Sequence, residues 1–158
     1  MSEKERSIRD SVEQIADKLG KGIDPGIKET VVALMLDDFP TSQSCEGHPD
    51  QNEGLPFPWV EVGYPCPEDP DTNPSGMEKT EQKNLIAQQR MKMMLDDYYK
   101  TNGSKHRLGI SKIGIYGAFR VQPAKDESLV TSGELKSYQT EMVNFTDYVL
   151  EQARNKSN

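Results

Sequence analysis

No stretch of this chain is rich in lysine and arginine, and its 158 residues carry a net charge of −7. A nucleic-acid backbone is therefore a poor partner, because that affinity comes largely from cations neutralising phosphates. Long apolar runs are also missing, so no segment reads as membrane-spanning. The charged start, Met1-Ser-Glu-Lys-Glu-Arg6, lacks the apolar stretch of a secretory leader. Cysteine occurs only at Cys45 and Cys66, too few for a disulfide scaffold. A cytoplasmic setting that keeps both thiols reduced is expected. Aromatic residues make up 7% and all apolar residues 34%, which is lean and predicts one domain with part of its length in solvated loop.

The apolar residues that are present fall into periodic segments. Ser2 and Glu5 have capping-box spacing, and Ile8, Val12, Ile15 and Leu19 follow on one helical face until Gly20-Lys-Gly22. Asp24-Pro25 opens a second helix, with an N-cap followed by a proline where no N–H is needed. Its face is Ile27, Val31, Leu34 and Met35, and Phe39-Pro40 stops it. Residues 41–46 fit a short strand, and 58–64, built on Trp59, Val60 and Val62, a better one. Residues 65–76 contain four prolines and three acids and read as an acidic proline-rich loop. Ser75 and Glu78 predict a long helix over 78–100, with Ala87, Met91, Met94, Leu95 and Tyr98 inward and Asn102-Gly103 as its stop. Strands are expected over 107–115 and 118–121. Thr131 and Glu134 cap a last helix with a seam of Leu135, Tyr138, Met142, Phe145 and Val149. The order ααββαββα predicts an α+β fold, a mostly antiparallel sheet of about four strands with helices packed on one face.

Reactive side chains concentrate in one place, Thr41-Ser-Gln-Ser-Cys-Glu-Gly-His48, with Trp59-Val-Glu-Val62 eleven residues on. Cys45, Glu46 and His48 are candidate catalytic residues: an imidazole can turn a thiol into a thiolate nucleophile, and Glu46 or Glu61 could orient it. Ser44, Trp59, Glu61 and Arg120 are candidate ligand contacts, Arg120 through its bidentate guanidinium. The plainer alternative is a buried Cys45 and a turn-capping His48. A zinc site from Cys45, His48, Cys66 and His106 is not expected, because only the first two are close in sequence. Residues 69–80 lack the glycine and glutamate of a calcium loop, and residues 109–116 lack the lysine of a phosphate loop. No metal or other cofactor is expected.

The segment Thr41-x-x-Ser-Cys-Glu-Gly-His48, followed by Pro58-Trp-Val-x-Val62, resembles a motif of small uncharacterised bacterial and phage proteins. More faintly, it is similar to the Thr-x-Ser-Ser-Cys-x-Gly-Arg stretch of the archaeal wybutosine-synthesis methyltransferase family. His48 stands where that family has arginine. Methyl transfer to tRNA is what this second likeness would imply, against the acidic balance of the chain. The composition and motif lead instead to a small polar ligand or a protein partner bound at the Cys45–His48 turn. The alternatives are a thiol- or carboxylate-dependent hydrolase or transferase, and a structural protein forming a homodimer through its C-terminal helix.

Overall fold

The computed structural model describes residues 1–15, 20, 22–50, 52–67, 69 and 71–156. Helices α1 (Glu3–Gln14) and α2 (Pro25–Leu36) precede strands β1 (Thr41–Cys45) and β2 (Trp59–Val62). Helix α3 (Pro74–Thr101), strands β3 (Leu108–Lys112) and β4 (Phe119–Pro123) and helix α4 (Leu135–Lys156) follow, with two short 3₁₀ turns before α4. The α+β order is the expected one. The sheet runs β1-β2-β4-β3, and every neighbouring pair is antiparallel.

Alternation on the central strands decides which face the helices cover. Val60 and Val62 on β2 and Phe119 and Val121 on β4 are buried, and the register sets Val60 against Val121 and Val62 against Phe119. These side chains meet α2 and α4, with Ala33, Leu34, Met142, Phe145 and Val149 in the same core. Helix α3 joins them through Tyr98, whose ring stacks on Phe145 at 5.5 Å. Trp59, Glu61 and Arg120 point to the other face. Helix α1 lies outside α2, where Val12 packs on Val31 and Val32.

The helix ends show where local spacing misleads. Ser2 Oγ accepts the Glu5 N–H as expected, but α1 stops at Gln14 and Ile15 is extended and exposed. Leu19, expected on the same seam, lies outside the described residues. Helix α2 is stopped by Asp38, in the left-handed region at φ 64°, with Phe39 N–H donating to Leu34 O and Asp38 N–H to Met35 O. That pair of bonds closes the last turn before Pro40. Helix α3 begins at Pro74, earlier than residue 78, because Asn73 accepts the Gly76 N–H and Pro74 occupies the first turn. The acidic loop therefore ends at Asn73 and not at residue 76.

The C-terminal seam is core. Tyr138, Met142, Phe145 and Val149 are buried, and so is Leu150 beside them. Val143 is the exposed large apolar residue of α4. No helix among the described residues is long and apolar enough to cross a membrane.

Candidate functional site

The site forms where the end of β1 meets the start of α2. At Gly47 the chain turns with φ +87°, and a side chain there would collide with Leu135 and the Phe57 backbone. Only glycine permits this turn. It returns His48 beside Cys45, where the His48 N–H donates to Leu55 O at 2.9 Å. Gly54 closes over the pair, and a Cβ at that position would stand 2.8 Å from His48 Cδ2 and 3.5 Å from Cys45 Sγ.

Two carboxylates exchange their expected roles at this corner. Asp24 holds the N-cap position of α2 but makes no side-chain bond to its own helix. Glu46 takes that part from across the chain, its carboxylate accepting the Gly26 N–H at 2.8 Å, where the helix dipole favours negative charge. Gln139 on α4 holds the Glu46 carbonyl at 2.9 Å. Asp24 Oδ2 is turned outward instead. It accepts the Glu46 N–H at 3.2 Å and stands 3.5 Å from His48 Nε2.

Asp24, Cys45 and His48 thus converge, each offering one ligand atom within 4.8 Å of the other two. Cys45 is buried, whereas Asp24 and His48 are half-buried. Burial pushes the Cys45 thiol above its ordinary value, the Gly47 N–H directed at Sγ opposes this, and the Asp24 carboxylate adds to the rise. That environment holds a protonated thiol and so works against the thiolate nucleophile.

Other expected residues lie in different arrangements. Cys66 is exposed. His106 Nε2 lies 3.7 Å from Glu134, with its ring against Tyr138. Neither belongs to the Asp24 group. Ser44 pairs with Val60 and so faces the helices. The carboxylate beside His48 is that of Asp24, since Glu46 is held at α2 and Glu61 lies 3.7 Å from Arg120 Nε. The Arg120 guanidinium stands 4.1 Å over the Trp59 ring. Trp59, Glu61 and Arg120 are therefore a second group on the open face, with the cation already engaged.

Two of the best-formed hollows lie away from this corner. One is a shallow opening along α1, lined by Arg6, Asp10 and Gln14 among others. The other is a cavity of about 10 Å³ between Thr30, Leu34, Met142 and Val149, far below the size of a metabolite pocket. Comparison with protein-family models, curated proteins and solved structures finds no match.

Sequence spacing missed Asp24 as a member of the site. Its only signal was an aspartate before a proline at a helix start, which also describes an ordinary cap. What frees Asp24 is Glu46, twenty-two positions away, and no local pattern conveys that.

Proposed function

We propose that the protein binds a small polar ligand at the corner formed by Asp24, Cys45 and His48. The supporting observation is the convergence of a carboxylate oxygen, a thiol sulfur and an imidazole nitrogen within 4.8 Å. All three can act as lone-pair donors, so the ligand is one that accepts lone pairs: a cation or a strong hydrogen-bond donor. The glycine turn at 47 and the Gly54 backbone over the ring restrict its size. Binding is preferred to thiol catalysis, because burial of Cys45 and the neighbouring Asp24 carboxylate favour the protonated thiol over the thiolate nucleophile.

An amide-resolved NMR titration tests this reading, with zinc ion, methylammonium, guanidinium, acetate and phosphate as probes. A saturable shift confined to Gly47, His48 and Gly54, caused by at least one of the three cations and weakened in Asp24→Asn, is expected. Silence of these amides towards all five probes would refute the site.

A further inference from the structure

We propose that the ligand of this corner is a divalent transition-metal ion of the zinc type, bound by Asp24, Cys45 and His48. This rests on the binding reading above and names its ligand class. Oxygen, nitrogen and thiolate sulfur are the three donor types zinc takes from proteins, at about 2.0–2.3 Å. Tetrahedral angles at those lengths separate ligand atoms by about 3.3–3.8 Å. His48 Nε2 and Asp24 Oδ2 already stand 3.5 Å apart. With all three atoms within 4.8 Å of one another, the sulfur distances exceed those of one tetrahedral face by at most about 1.5 Å.

The surroundings also suit coordination. The Gly47 N–H is directed at Sγ at 3.4 Å, a bond that strengthens when the sulfur carries charge. The Glu46 N–H on Asp24 Oδ2 fixes one carboxylate oxygen as the second shell of a metal site does. Asp24 and His48 stay partly exposed, which leaves a route in. On binding, the metal–sulfur bond replaces the sulfur–hydrogen bond, and one proton leaves to solvent. No electron is transferred. Three protein ligands leave a fourth position for water or an incoming oxygen or nitrogen atom, the pattern of an open rather than a closed site. The sequence-based expectation of no metal weighed Cys66 and His106 as the missing ligands; Asp24 supplies the third instead.

Cobalt(II) titration of tag-free protein in a Cys66→Ser background tests the proposal, with zinc then added to displace the cobalt. One cobalt per chain, a thiolate-to-cobalt charge-transfer band and the visible bands of a tetrahedral ion are expected. His48→Ala and Asp24→Asn should each weaken binding by more than about 100-fold, beyond the 10–100-fold of outer-shell changes, and His106→Ala should leave it unchanged. The charge-transfer band reports the sulfur with all three ligands intact, so the result does not depend on any ligand variant folding. Absence of that band at saturating cobalt overturns the metal proposal. If methylammonium or guanidinium still shifts the Gly47 and His48 amides, the binding reading survives without it; if no cation does, both fall.

Discussion

Two polar corners of this molecule use similar residues to opposite ends. At the first, Glu5 is 2% exposed and its carboxylate accepts from Arg154 at 2.7 Å and from Arg9 at 3.0 Å. Arg9 continues to Glu29 through two further bonds of 2.7 and 2.8 Å. The Arg154 hydrogen bond, opposed by burial and aided by Arg9, lowers the Glu5 pKa to about 2. Charges there close on one another and tie the first helix to the last. At the second corner Asp24 receives a backbone amide and faces an imidazole and a thiol. The first corner is a finished ion-pair network, and the second is a set of donors facing a common centre. A cluster closed by opposite charges holds helices together, whereas three lone-pair-bearing atoms that face one centre are the arrangement on which the proposed binding reading rests.

The largest effect is expected in the main core beneath the sheet. Phe145→Ala should cost on the order of 3–4 kcal/mol, as large-to-small core changes do, because Phe145 is buried and stacked on Tyr98. Urea denaturation measures this, and the loss should not vary with protein concentration. A concentration-dependent loss would make α4 an interface.

Next comes the closed corner. Arg154→Met should cost on the order of 2–3 kcal/mol, somewhat below the usual cost of leaving a buried charge unpaired because Arg9 remains. The pH dependence has a definite sign. Since the folded Glu5 pKa is about 2 against an ordinary 4.5, its contribution is complete above pH 4.5 and declines as pH falls towards 2. Unfolding midpoints between pH 6 and 2.5 should show this slope in the parent protein and a shallower one in Glu5→Gln. Equal slopes would remove the contrast between the corners.

The smallest effects separate the two thiols. Cys45→Ser puts a hydroxyl in a buried position and should cost about 1–2 kcal/mol. Cys66→Ser, at an exposed position, should change stability by less than about 0.5 kcal/mol. Thermal unfolding of both variants checks the order, and equal losses would contradict the placement of Cys45.

The fold was legible because its elements repeat simple periods. Val60 and Val62, and Phe119 and Val121, alternate as strand residues with one face inward, and the α4 seam is a helical stripe long enough to read. Helix starts were less legible, since Asn73-Pro74 and Ser75 with Glu78 offer competing caps two residues apart, and it is the Asn73 side chain that accepts an N–H of the first turn. Buried polar residues were not legible at all. Asn84 on α3 is fully buried because it bonds the Tyr64 N–H at 2.6 Å and the Tyr116 carbonyl at 2.8 Å, partners 20 and 32 residues away. The candidate site was half legible. Cys45 and His48 stand close in sequence, and the glycine between them announces the turn. Asp24 joins them only because Glu46 crosses to cap α2, an exchange that exists once the chain has folded.

X-ray absorption at the zinc edge, on protein loaded with one zinc per chain, reads the ligands of the proposed site atom by atom. One sulfur at about 2.3 Å with nitrogen and oxygen neighbours at about 2.0–2.2 Å is expected, the sulfur shell vanishing in Cys45→Ser and persisting in Cys66→Ser. A first shell of nitrogen and oxygen alone, identical in both variants, would contradict it.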